Sequence, residues 1–228
     1  VETGDLFMSI SGFTTNGNRF IPVAMEKGAA VVVTATKPTE DVPYVLVSSD
    51  RLAMAQIAAN FYDHPAQKLK MVGVTGTNGK TTVTLLVKHI LETAKGAKVG
   101  LIGTMENLIG EEVVPTERTT PESPQLQALF ARMVDAGCSY AVMEVSSHAI
   151  ALERVGGVHY HVAAFTNLTE DHLDFHKTME NYGETKAMLF ARSDKAVLNQ
   201  DDGWYSLMAY KAACEPLTTG LSENAGLY

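Results

Sequence analysis

Met71-Val72-Gly73-Val74, then Thr75-Gly76-Thr77-Asn78-Gly79-Lys80, then Thr81-Thr82-Val83 run from an apolar segment through a glycine-bearing loop into a helical pattern. The first four residues read as a short buried strand. From Thr81, the apolar positions Val83, Leu86, Val87, Ile90, Leu91 and Ala94 recur at i, i+3, i+4, i+7, i+8 and i+11, one stripe of a helix that Gly96 is placed to cap. A loop between a strand end and a helix start suits a phosphate. Glycines let backbone N–H groups turn inward, and the helix N-terminus adds partial positive charge. Lys80 is placed to reach phosphate oxygens, and the Thr81 hydroxyl to hold Mg²⁺. The strict spacing G-x-x-x-x-G-K-[ST] calls for glycine at position 74, where Val74 stands. The bland alternative is a glycine-rich turn with an exposed lysine; the strand before and the helix after favour a phosphate loop.

Outward from this loop, strands are expected at 99–103, 140–145, 162–166 and 196–199, and helices at 123–135, 178–192 and 204–213. Leu126, Leu129, Phe130, Met133 and Val134 form the inward face of the first of these helices, and Gly137 stops it. Toward the N-terminus, strands are expected at 6–10, 30–34 and 44–47, a loop at 11–18, and helices at 20–29 and 50–62. His64-Pro65 ends the last helix, because a residue before proline disfavours the helical region, and 66–70 reads as a linker. Strands alternating with helices predict an α/β fold: a small α/β domain over 1–68, then a phosphate-loop domain over 69–228 with a mostly parallel sheet flanked by helices.

Hydrophobic residues are 46% of the 228 and charged residues 19%, enough apolar surface for a large core and too little charge for disorder. The net charge of −8 argues against a general nucleic-acid binder. No apolar run is long enough for a membrane span, and no secretion leader is seen. Cys138 and Cys214 read as buried free thiols in a reducing cytoplasm. The chain starts at Val1 beside a strand-like stretch and stops at Tyr228 beside another, so a piece of a longer polypeptide is expected.

Glu144 ends an otherwise apolar strand, where ligands of open α/β sheets bind and where a carboxylate suits Mg²⁺. A surface glutamate is the alternative. From Glu170 to His176, two histidines and three carboxylates share seven residues. His172 and His176 are four apart, so a zinc pair is open, as is a solvated acidic loop. The His-Glu-x-x-His form is absent.

Jointly, the loop 75–82, Glu144-Val145-Ser146-Ser147-His148, and Thr166-Asn167-Leu168 with Asp171-His172-Leu173-Asp174-Phe175-His176 resemble the Mur ligases, ATP-dependent amide-forming enzymes of cell-wall precursor synthesis. The closest likeness is to the MurE branch. It is carried by the serine pair before His148, by Thr119-Thr120-Pro121-Glu122-Ser123, and by Gly4-Asp5-Leu6-Phe7 with Gly17, Phe20-Ile21-Pro22, Ala24 and Gly28-Ala29. The resemblance implies that 1–68 binds UDP-MurNAc and is truncated at its start, that 69–228 binds ATP, and that a C-terminal ligase domain is absent from this chain. It places ATP on Gly76, Thr77, Asn78, Gly79, Lys80, Thr81, Thr82 and Asn167. It assigns one Mg²⁺ to Thr81 and Glu144, and a second to His172 and Lys186, the latter carrying a CO₂-derived carbamate. Lys80, Glu144, His172 and Lys186 are the implied catalytic set. Thr119, Thr120, Ser146 and Arg154 match positions that contact the UDP-MurNAc-dipeptide, and Phe13, Thr14 and Thr15 align with the uridine loop. Leu152 stands where some members have glutamine.

The implied reaction is cytoplasmic. A carboxylate of UDP-MurNAc-L-Ala-D-Glu takes the γ-phosphoryl group of ATP, and a diamino acid, meso-diaminopimelate in preference to L-lysine, displaces phosphate. The implied partners are these small molecules, with no nucleic acid, membrane span or obligate protein partner, and the chain alone is expected to bind without turning over. The alternatives are another Mur-type ligase (MurF or folylpolyglutamate synthetase) or a non-catalytic nucleotide-binding module.

Overall fold

The computed structural model describes residues 1–12, 15–221, 223 and 225–227. The chain separates into two compact units, Val1–Ile57 and Ala58–Tyr228. In the first, β1 (Leu6–Ser9), α1 (Ile21–Glu26), β2 (Val31–Thr34) and β3 (Tyr44–Leu46) precede α2 (Asp50–Phe61), which runs past the division between the units. The three strands form a parallel sheet in the order β1-β2-β3, with Leu6 opposite Val31 and Val32 opposite Tyr44. Ile21, Ala24, Val32, Val33 and Ala55 are buried in this unit. Asn18 Oδ1 accepts from the hydroxyls of Ser9 and Thr34, tying the loop after β1 to the ends of β1 and β2.

The second unit contains β4 (Lys70–Thr75), α3 (Lys80–Lys95), β5 (Val99–Ile102), β6 (Asn107–Ile109), β7 (Glu112–Val114), α4 (Ser123–Asp135), β8 (Tyr140–Glu144), α5 (Ser147–Ala151), β9 (Val162–Phe165), α6 (Leu173–His176), α7 (Met179–Ala187), β10 (Ala196–Asn199), α8 (Tyr205–Lys211) and β11 (Leu217–Thr219). Its sheet has the order β11-β10-β9-β4-β8-β5-β6-β7. All pairs from β11 to β5 are parallel, and β6 and β7 add an antiparallel hairpin. Near-continuous apolar strands such as β8 suit a sheet covered on both faces. One face packs Met71, Met143, Ala163, Phe165 and Leu198 against Leu126, Phe130 and Met133 of α4, Tyr182 of α7 and Met208 of α8. On the other, Val99, Leu101 and Val142 meet Val87 and Leu91 of α3. No helix among the described residues is long and apolar enough to cross a membrane.

The alternation places every expected strand and both long helices of the second unit, with four corrections. Residues 66–70 are no linker: Pro65–Lys68 is a 3₁₀ turn, Leu69 is buried, and Lys70 opens β4, so packing divides the chain within α2, earlier than the proline at 65 suggests. The expected helix 178–192 stops at Ala187, followed by a 3₁₀ turn over Phe190–Arg192. The β6–β7 hairpin was not expected, its strands being three residues each. The apolar stripe of α3 is also rotated: Leu86 and Ile90 stay exposed, while Thr84 and Lys88 are buried. Thr81, Thr84 and Lys88 lie at i, i+3 and i+7, so the face turned to the sheet is the one that brings Thr81 to Glu144. Lys88 tolerates this position by pairing with Glu92 one turn on.

Candidate active site

β4 is central, with β8 on one side and β9 on the other. Three consecutive segments therefore end side by side: the loop after β4, Glu144 closing β8, and Thr166-Asn167 after β9. This is the carboxyl edge of a parallel sheet, where crevices form. Val74 is buried within β4, so the loop turns only at Gly76, which accounts for the missing first glycine. A Cβ on Gly76 would lie 1.9 Å from Thr166 Oγ1, so no other residue fits that approach. Gly79, at φ 84°, caps α3 in the left-handed region.

The loop is braced by the segment after β9. The amide of Thr77 donates to the Asn167 carbonyl (2.8 Å), and that of Asn78 to Asn167 Oδ1 (2.9 Å). Asn167 Nδ2 and Thr166 Oγ1 both donate to the Asn78 carbonyl, at 3.1 and 2.7 Å. Thr77 and Asn78 thus spend their amides on the brace, which leaves the first turn of α3, whose N–H groups lack helical partners, as the donor set for an anion. Asn167 acts here by holding the loop. Lys80 Nζ donates to the carbonyls of Gly76 (3.0 Å) and Thr77 (2.9 Å). Burial lowers its pKa, and the charges of Glu144 and Asp171 oppose that shift. Thr82 is exposed on α3.

Glu144 is 1% exposed. Its Oε1 accepts from the Thr104 amide (2.8 Å) and the Thr81 hydroxyl (3.0 Å), and its Oε2 from the Thr104 hydroxyl (3.0 Å). Thr104 escaped sequence reading, because only the pairing of β5 with β8 brings it there. Its hydroxyl also lies 3.0 Å from that of Thr119. The neighbouring Thr120 is buried and faces inward: its hydroxyl donates to the Glu144 carbonyl (2.9 Å) and accepts from the Ser146 amide (3.2 Å). Ser146 caps α5, accepting from the Ala149 amide. Arg154 Nη1 donates to the Thr120 carbonyl (3.2 Å), and its Nε lies 2.9 Å from Glu122 Oε1. Thr119, Thr120, Ser146 and Arg154 therefore gather beside Glu144.

Lys186 comes from α7 and is 1% exposed. Its Nζ donates to the Gly76 carbonyl (2.9 Å) and sits 4.6 Å from the centre of the Tyr182 ring, one turn back on the helix. Its pKa falls to about 7, first through burial and then through the charge of Lys80, with Asp171 opposing. The Tyr182 hydroxyl is 3.3 Å from Thr77 Oγ1, a second link to the loop that the i, i+4 spacing from Lys186 could have flagged. His172 is exposed at the start of α6, at φ 53°, with Nδ1 3.4 Å from Asp171 Oδ1. His176 is buried, and its Nε2 lies 2.8 Å from the Ser147 hydroxyl. Burial, then the charges of His148, Lys186 and His172, lower its pKa to about 4, with Asp174 opposing. Among the described residues no three His, Cys, Asp or Glu side chains converge on one point.

In the first unit, Thr15 is exposed, and its carbonyl accepts from the Gly12 amide (3.0 Å). Phe13 and Thr14 lie outside the described residues.

Residues 74–228 match the model of the Mur ligase middle domain. The chain belongs to the Mur ligase family. The UDP-N-acetylmuramoyl-L-alanyl-D-glutamate–2,6-diaminopimelate ligase of Caldanaerobacter subterraneus subsp. tengcongensis is 49% identical over 96% of this chain and 46% of its own length. A solved structure of a ligase with that same name superposes with a TM-score of 0.83 at 28% identity, covering 98% of this chain and 47% of its own. A MurF structure from Acinetobacter baumannii covers 98% of this chain and 46% of its own, with a TM-score of 0.63 at 19% identity, a likeness of fold alone. The chain spans about half the length of the curated relatives it matches.

Proposed function

We propose that this Mur ligase chain carries the ATP site and part of the UDP-MurNAc-L-Ala-D-Glu site of a cytoplasmic ligase that adds meso-diaminopimelate during peptidoglycan precursor synthesis. The observation that carries the reading is the convergence on the Gly76 loop of a half-buried lysine, a buried glutamate and a buried lysine from α7. The relative's 2,6-diaminopimelate specificity supports the choice of diamino acid over L-lysine. We assign 1–68 to UDP-MurNAc binding, with Phe13, Thr14 and Thr15 at the uridine, and 69–228 to ATP.

The donor set fits Mg²⁺, which takes hard oxygen ligands and keeps waters and phosphate oxygens in its shell. The Thr81 hydroxyl and the Glu144 carboxylate, 3.0 Å apart, would hold one ion. His172 and a carbamate on Lys186 would hold a second. Bound there, the ions supply positive charge between two anions that must meet, the substrate carboxylate and the triphosphate. Lys80 adds to that charge from the loop. Thr104 holds the Glu144 carboxylate in place through its amide and its hydroxyl. The brace of Thr166 and Asn167 holds the loop in shape. Lys186 can react with CO₂ because only a neutral amine attacks it, and burial makes a large fraction neutral near pH 7. Arg154, beside Thr120, is suited to a carboxylate or phosphate of the acceptor.

The test is calorimetric titration of UDP-MurNAc-L-Ala-D-Glu into the chain with Mg²⁺ and a non-hydrolysable ATP analogue, with UDP-MurNAc-L-Ala as comparator. Preference for the dipeptide form is expected. Binding of the analogue with neither acceptor bound overturns the acceptor assignment and favours a nucleotide-binding module.

A further inference from the structure

We propose that His148 is a positioning residue that holds the His172 ring in place for metal binding; this rests on the assignment of His172 under the proposed function. His172 needs such support. Its side chain is 47% exposed, it precedes α6 in the left-handed region rather than lying within a helix, and its contact with Asp171 is 3.4 Å long. Metal-binding histidines are usually oriented by a hydrogen bond from the ring nitrogen that does not bind the metal, and an edge-to-face ring contact can add about 0.5–1.5 kcal/mol of orientation, about 2- to 10-fold in affinity.

The contact here is a ring. The His148 and His172 centroids are 4.8 Å apart with planes at 84°, an edge-to-face contact. His148 is itself seated on rings: Phe175 at 4.3 Å and His176 at 5.5 Å. His176 is anchored in turn, bonded to Ser147 and packed at 4.9 Å on Tyr182, whose ring lies under Lys186 Nζ. Tyr182 also reaches His172 from a second side, at 6.1 Å and 88°. The rings run from the buried core out to an exposed histidine.

His148 lies in α5, which starts three residues after Glu144. A displacement of the end of β8 therefore reaches both Glu144 and, through His148, His172. Ring packing rather than a hydrogen bond ties His148 to these neighbours, so a flat apolar ring should serve in its place.

The experiment is Mn²⁺ titration of the 228-residue chain with a non-hydrolysable ATP analogue, read by electron paramagnetic resonance, for wild type, His172→Ala, His148→Ala and His148→Phe. Wild type is expected to bind two Mn²⁺ and His172→Ala one. His148→Ala should weaken the His172-dependent ion about 5- to 10-fold and leave the other ion and the ATP analogue unchanged. His148→Phe should stay within about threefold of wild type, since it keeps the ring contact. His148→Leu, which fills the volume without a flat ring, replaces His148→Ala if that variant does not fold. Two ions bound normally by His148→Ala overturn the inference while leaving His172 as a ligand. His148→Phe as weak as His148→Ala overturns it too, because a ring nitrogen is then required. An unchanged titration in His172→Ala removes the His172 assignment, and this inference with it.

Discussion

Lys80 and Lys186 donate to the same oxygen, the Gly76 carbonyl, at 3.0 and 2.9 Å, and do so from opposite situations. Lys80 follows the loop directly, is partly exposed, and has Glu144 and Asp171 to sustain its charge. Lys186 arrives from 110 residues away, is 1% exposed, and has the charge of Lys80 against it. Surroundings, not residue type, decide what a lysine can do. Burial lowers the pKa of both; at the partly exposed Lys80 the charges of Glu144 and Asp171 oppose the shift, and at the buried Lys186 it carries the pKa down to about 7.

The sharpest break of this contrast is chemical. With ¹³C-bicarbonate, the chain should show a carbamate NMR signal that disappears in Lys186→Met and persists in Lys80→Met. Loss in the wrong variant would reverse the two roles. Next in size is nucleotide binding. Lys80→Met should weaken a non-hydrolysable ATP analogue about 10- to 100-fold by calorimetry, the worth of a charge-assisted hydrogen bond.

A third effect is in stability. The folded Lys186 pKa, about 7, lies below its ordinary 10.5. Between those values the unfolded chain holds a proton that the folded chain lacks, so stability rises with pH across that window, by up to about 1.4 kcal/mol per unit. Urea unfolding in CO₂-free buffer from pH 7 to 9.5 should show this rise in wild type and lose it in Lys186→Met.

Smaller still, Thr104→Val removes one of three hydrogen bonds to a buried carboxylate and should cost about 1 kcal/mol in the same assay. Smallest is Leu86→Ser. The apolar stripe would have made Leu86 a core residue, but it is 55% exposed, so the change should stay within about 0.5 kcal/mol. A cost of about 2–5 kcal/mol would restore the stripe as a buried face.

The stripe shows how far periodicity reaches. It located α3 and its cap at Gly96, because a 3.6-residue repeat is local information. It could not give the rotation of the helix about its axis, which follows the side that carries Thr81 to Glu144. Likewise local pattern singled out Lys80, Glu144 and His172 as candidates, leaving Glu144 open as a surface residue and His172 as half of a zinc pair or part of a solvated loop, while Thr104, Tyr182 and the pair Ser147–His176 carried no local signature. Resemblance supplied Lys186, which by spacing alone reads as an ordinary helix-surface lysine.

By itself, the sequence determined the α/β class, the alternation of the main strands and helices of the second unit, and the glycine loop at 75–80 as a contiguous strand–loop–helix. Those features rest on backbone preference and hydrophobic period, which act between near neighbours. Only the tertiary structure decided that β9 lies against β4, so that Asn167 braces the loop, and that α7 buries a lysine against Gly76. The pKa of a group depends on the water removed and the charges placed around it. Both are set by parts of the chain far apart in sequence, so they appear only once the chain has folded.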